Sequence, residues 1–263
     1  MELAEIKEQI KAGLTKGYWQ NLLLLSSYSN FIEQVREYLL TVNVAQQLLE
    51  WNKNPLYKIQ LEYSVSNFYN NAFAACRWES KSIFNMTTIP RKTGHSPTKK
   101  QNQKIDIAIT KGLFGSNASS DERTLCGIEL KAINKCTTDI IEDLTRLSDA
   151  MILTDDVSPN SIDFCFCGFI RRFDREKEIV NDNFILTKTT EEQNYWEPIC
   201  KDLANKYLIL EFLVEKFDIV TTPLELVADT HRQLGSDYSE VANSTGIVVG
   251  YIITIKRKLV PKP

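Results

Sequence analysis

Residues 1–51 carry apolar side chains at intervals of three and four, the spacing of an amphipathic helix. Within 31–51 the series Phe31, Val35, Tyr38, Leu39, Val42, Ala45, Leu48 and Leu49 traces one such stripe. Asn52-Lys53-Asn54-Pro55 interrupts it as a turn, and a second helix carrying Glu62 is predicted over 57–76. From residue 82 the period changes. Residues 82–89 (SIFNMTTI) are β-branched and aromatic and are closed by Pro90, the composition of a strand. Two further strands are predicted at 104–110 (KIDIAIT) and 125–133 (LCGIELKAI), separated by the turn-rich GLFGSNASSDER. Residues 139–153 form a strongly amphipathic helix with Ile140, Leu144, Leu147 and Met151 on one side. A core strand over 161–170 follows, then a helix over 191–217 interrupted or started at Pro198, then a late strand over 247–255. This alternation predicts an α/β or α+β chain, divided into a helical N-terminal region (1–55) and a core (56–263).

The length, 263 residues, is enough to bury a sizeable core. The N-terminus is charged and lacks the apolar centre of a signal peptide, and no run of about 18 apolar residues exists. Six cysteines (Cys76, Cys126, Cys136, Cys165, Cys167, Cys200) lie scattered without the short, repeated spacing of a zinc site, so all six are read as buried structural residues. A reducing, cytoplasmic setting follows. With only His95 and His231 present, a histidine-based mechanism has little material. A net charge of −3 argues against a freestanding, tight DNA binder, although the distribution of charge matters more than its sum. No G-x-x-x-x-G-K-[ST] loop is present, so the chain holds no ATP-driven motor of its own.

The candidate chemistry lies where the alternation breaks. Glu-x-Lys occurs at Glu5, Glu79 and Glu129, but only Glu129-Leu130-Lys131 is embedded in a predicted strand. Side chains in a strand alternate faces, so Glu129 and Lys131 project together while Ile128, Leu130 and Ala132 face the other way. The preceding strand repeats the anomaly with Asp106 between Ile105 and Ile107. Charges on apolar strands are costly unless paired or used in binding. Two acids on strands joined by a short loop suit a hard divalent cation such as Mg²⁺. The bland alternative is a salt-bridged ladder on the surface of an edge strand.

KIDIAIT followed by GIELKAI resembles the PD-(D/E)XK nuclease superfamily, with Ile105 standing where that name has proline. The resemblance implies a restriction-endonuclease-like fold, a mixed central sheet flanked by helices. It also implies a Mg²⁺-dependent nuclease, with Mn²⁺ as a substitute. By resemblance Asp106 and Glu129 are metal ligands, the Leu130 carbonyl is a further ligand, and Lys131 orients or activates the attacking water. The family often adds a glutamate from a preceding helix, and Glu62 is the candidate, with Glu50 and Glu79 also in range. A DNA substrate, a role in bacterial defence, restriction or mobile-element processing, and loading by a helicase or ATPase partner are typical of that superfamily.

Around this centre, Arg91, Lys92, Lys99, Lys100 and Lys104 lie in a stretch without acids and are candidate phosphate contacts. Asp143-Leu-Thr-Arg146-Leu147 matches a D-x-x-R-L helix common in the family, in which Arg146 holds phosphate, braces Glu129 or pairs within its helix. Arg171-Arg172 is either a nucleic-acid contact or plain surface. Two other functions fit the chain: a non-catalytic nucleic-acid-binding or scaffold subunit with the same fold, and a helical interaction protein carrying an ordinary surface sheet.

Overall fold

In the computed structural model, the described residues are 2–25, 37–73, 76–82, 85–90, 103–112, 122–154, 159–173, 182–220 and 247–258. Their elements run α1 (Leu3–Leu25), α2 (Glu37–Trp51), β1 (Tyr57–Ser64), α3 (Val65–Asn70), β2 (Cys76–Ser82), β3 (Asn85–Pro90), β4 (Lys104–Gly112) and β5 (Glu122–Lys131). They continue with α4 (Thr137–Ile152), β6 (Phe164–Phe173), α5 (Asp182–Lys206), β7 (Leu210–Val220) and β8 (Ile247–Arg257). The chain is α/β, with a six-stranded mixed sheet in the order β1-β4-β5-β6-β8-β7 and a separate β2-β3 hairpin pair. Among the described strands only β5 and β6 are parallel neighbours, and α4 is the crossover that joins them, as a parallel pair requires.

Both faces of the sheet are covered. One core joins Ile6, Ile10 and Leu14 of α1 and Leu40, Val44 and Leu48 of α2 to Ile107, Ile128, Leu130, Phe166 and Ile252. On the opposite face Phe68 of α3, Leu144 and Leu147 of α4 and Trp196 of α5 pack on Ala108, Cys165, Cys167, Phe169 and Tyr251. Burial on two faces explains why β8 reads as a continuous apolar run. Among the described residues no helix is long and apolar enough to cross a membrane.

The helical pair is held unusually close. A Cβ added at Gly13 of α1 would stand 2.4 Å from the Val44 Cα of α2, a collision with backbone that no rotamer relieves. Gly13→Ala is therefore expected to force the helices apart and lower stability by about 1–3 kcal/mol. Denaturant unfolding measures this, and an unchanged midpoint would show that the helices are not in contact there.

Several sequence expectations are corrected. Residues 57–64 form a strand, not the start of a helix: Leu61 pairs with Ile107 and Tyr63 with Ile105, and only residues 65–70 are helical. Residues 182–206 are helical through Pro198, but 210–220 form β7, in which Leu210, Phe212 and Val214 alternate toward the core. The buried stripe of α2 is Leu40, Val44, Ala45 and Leu48, whereas Tyr38 and Leu49 are exposed; Phe31 and Val35 lie outside the described residues. Cys126, Cys165, Cys167 and Cys200 are buried as expected, but Cys136 is exposed because it sits in the turn entering α4. Cys76 has no described side chain.

Candidate metal and nuclease centre

The β4–β5 ladder runs from Gly112 opposite Glu122 to Ile107 opposite Ile128. Beyond it the two strands exchange a different bond: Asp106 Oδ2 accepts the Leu130 N–H at 2.7 Å. A side chain thus takes the place of a ladder carbonyl, which fixes Asp106 beside the last turn of β5. Glu129 and Lys131 project to the α4 face, since Leu130 and Ile128 belong to the core under the helical pair. The alternation read from the sequence therefore holds through this strand.

β5 lies between β4 and β6, and Glu129 is 1% exposed. A solvated ladder on an edge strand does not describe this arrangement. Because α4 crosses over the same face, it delivers two more charged groups. Arg146 donates from Nη2 to Glu129 Oε1 at 2.6 Å and from Nε to the same oxygen at 3.1 Å, and Nη2 also donates to Asp143 Oδ1. Lys131 Nζ stands 2.7 Å from Asp143 Oδ2. Asp143 thus holds a different cation on each oxygen. Asp143 and Arg146 are buried together with Leu144 and Leu147 of α4.

A fourth acid arrives from the other layer. Glu37, in the first turn of α2, reaches 3.7 Å from Lys131 Nζ with Oε1 and accepts the Ala132 N–H at 3.4 Å with Oε2. Glu62, the sequence candidate for a helical third carboxylate, is instead an exposed β1 residue with φ 53°, and its carboxylate pairs with Lys104 at 2.8 Å. Residue 62 thus lies on a strand and not on the expected helix. Nothing in the sequence marks Glu37, because a helix expected over 1–51 places it in mid-helix. Glu37→Gln is expected to weaken any cation-dependent property of this centre by about tenfold, as removal of an interaction near 1.4 kcal/mol would. Glu62→Gln is expected to leave it unchanged. Comparing half-saturating Mn²⁺ for the two variants tests the assignment, and the reverse ranking would restore Glu62.

Burial pushes the Asp106 carboxyl up to about 6, with Glu37 and Asp143 acting in the same direction and the Leu130 N–H and Lys131 opposing. Burial, reinforced by Asp106 and Asp143, raises Glu129 well above the carboxylate range. For Lys131, burial alone would lower the ammonium, but Asp143 and then Glu37 and Asp106 outweigh it and hold the group protonated. Fully ionised, Glu37, Asp106, Glu129 and Asp143 exceed Lys131 and Arg146 by two negative charges, the deficit a divalent cation cancels.

Among the described residues no group of three or more His, Cys, Asp or Glu side chains is disposed to hold a metal ion. The donor set on offer is smaller: the Asp106 and Glu129 carboxylates, with the Leu130 carbonyl nearby in sequence. The Leu130 N–H occupies Oδ2 of Asp106, and Arg146 occupies Oε1 of Glu129. Mg²⁺ is commonly held through one or two carboxylates with waters completing the shell.

Of the predicted phosphate contacts, Arg91, Lys92, Lys99 and Lys100 lie outside the described residues, as do His95 and His231. Lys104 is exposed at this end of the sheet, and Arg146 is the buried brace of Glu129. Arg171 is committed to Glu192 Oε1 at 2.7 Å and the Lys135 carbonyl at 2.7 Å. Asn134, at φ 53°, accepts the Arg172 N–H with Oδ1 at 3.0 Å and so pins the turn after Lys131 to β6. No protein-family model matches the chain, and neither the curated proteins nor the solved structures include a match to it.

Proposed function

We propose that the chain is a Mg²⁺-dependent nuclease of the PD-(D/E)XK type, with a restriction-endonuclease-like core, that hydrolyses phosphodiester bonds in DNA. The observation that carries this reading is the convergence of four acids, Glu37, Asp106, Glu129 and Asp143, on only two cations, Lys131 and Arg146, at the point where β4 and β5 part. Such a cluster is unfavourable when ionised unless protons or a bound cation neutralise it, and the cation is the alternative that gives the cluster a use.

When bound, the cation would polarise a phosphoryl oxygen and lower the pKa of a coordinated water. The chain's own groups supply the rest. Asp106, fixed by the Leu130 N–H, and Glu129, fixed by Arg146, hold their carboxylates in place with little freedom to lose. Lys131 is held protonated, so it serves as a hydrogen-bond donor and positive charge beside the phosphate rather than as a proton acceptor. The acidic balance of the chain and its lack of a motor motif support delivery to DNA by a helicase or ATPase partner, in a cytoplasmic defence, restriction or mobile-element system.

A second reading, a non-catalytic nucleic-acid-binding or scaffold subunit, draws on the grip of Arg146 on Glu129, which satisfies one ligand oxygen internally. Incubation of supercoiled and linear DNA with the protein in Mg²⁺ or Mn²⁺, with and without EDTA, separates the two. Chelator-sensitive cleavage supports the nuclease. Cation-dependent thermal stabilisation with no cleavage, alone or with an added motor partner, supports the scaffold.

A further inference from the structure

Arg146 is buried and bonded to Glu129 through two nitrogens, so any cation that uses Glu129 must compete with a guanidinium already in place. A buried arginine stripped of its only acid would be strongly unfavourable. Arg146 has a second acid, however. Asp143, one helical turn earlier, receives the same Nη2 through Oδ1, while its other oxygen keeps Lys131. We propose that Asp143 is a positioning residue that serves as the standing counter-ion of Arg146, so that Glu129 can turn from the arginine to a divalent cation without leaving the guanidinium unpaired. The inference rests on the reading of Asp106 and Glu129 as cation ligands.

The geometry favours this over a passive salt bridge. Asp143 is shared between Arg146 and Lys131, one oxygen to each, and Arg146 is shared between Glu129 and Asp143, so the guanidinium keeps an acid when Glu129 turns away. Removing the Asp143 charge should tighten the hold of Arg146 on Glu129, the one buried acid left to it, and so oppose cation binding at a distance from the ligands. The effect must vanish when Arg146 is absent, which distinguishes an exchange of partners from the general loss of a negative charge near the cation.

A double-mutant cycle reads this directly, using Mn²⁺ binding to the full chain followed by thermal shift and calorimetry. Asp143→Asn is expected to raise half-saturating Mn²⁺ about tenfold or more in the wild-type background and less than about threefold in an Arg146→Met background. An equal effect in both backgrounds, or none in either while wild type binds Mn²⁺, overturns the proposal and leaves the cation site standing. If wild type neither binds Mn²⁺ nor cleaves DNA, the reading of the site has failed, and the proposal with it. A measurement on the unmodified protein guards against variants that fold poorly. On Mg²⁺ titration the Arg146 Nε–H, now bonded to Glu129, should shift in the nitrogen-15 spectrum and exchange faster with water. Mg²⁺ binding with that signal unmoved overturns the exchange.

Discussion

Replacing Lys131 by methionine is expected to cut cation-dependent DNA cleavage by about 10²–10³-fold, the usual cost of removing one preorganised donor from a developing oxyanion. Methionine keeps much of the aliphatic stem that packs at the end of β5, so the loss is chiefly of charge and hydrogen bonding. Cation binding should survive or strengthen. Lys131 is one of two cations opposing four acids, and removing it enlarges the negative excess that a divalent ion relieves. Single-turnover cleavage at saturating Mg²⁺, measured alongside Mn²⁺ binding, separates the two effects. If the variant cleaves as fast as wild type, Lys131 has no place in the chemistry. If binding is lost together with cleavage, its role is to organise the acids.

The second large effect concerns stability. Asp106 carries a folded-state pKa raised from 3.8 to about 6, chiefly by burial. The folded protein therefore binds more protons at Asp106 than the unfolded chain between these values, and stability falls as pH rises through the window. The contribution is fully present below the unfolded value near 4 and is lost above about 6. Its ceiling is about 3 kcal/mol. Glu129 shifts in the same direction and adds to the slope. Asp106→Asn keeps an acceptor for the Leu130 N–H and removes the charge. This variant is expected to be more stable than wild type at pH 7 without cation, by up to about 3 kcal/mol, and equal to it below pH 4. Mg²⁺ or Mn²⁺ should raise the melting temperature of wild type at pH 7 and leave the variant unmoved. A variant less stable than wild type at pH 7 would mean that Asp106 serves the fold more than it serves a ligand.

Clustered buried acids are a common mark of functional centres, and structural ion-pair networks gather them as well. The cluster has a signature in the sequence. An acid inside an apolar strand violates local consistency, and Asp106 and Glu129 do so on successive strands of one sheet. The violation is local in the chain, and period-two alternation is enough to put Glu129 and Lys131 on one face.

Less local features were not legible. β1 is an exception: Tyr57, Ile59, Leu61 and Tyr63 alternate strictly with Lys58, Gln60 and Glu62, a strand pattern that the expected helix over 57–76 overlooks and that pairing with β4 bears out. β7 is an edge strand whose apolar triplet at 212–214 fits either period until β8 supplies its ladder. For β7 long-range hydrogen bonding overrode a weak local preference.

From the sequence alone come the strands β4, β5, β6 and β8, the crossover helix α4, and the shared face of Glu129 and Lys131, because each depends on periodicity within a single element. The tertiary structure decided which charges meet. Glu37 lies 94 positions before Lys131 yet stands at its side, because α2 packs over the sheet and ends its first turn at the edge of β5. Asp143 and Arg146 face inward because α4 must cross the face into which Glu129 projects. Charges act through space, so the balance at the centre could be drawn up only once separate elements had been brought together.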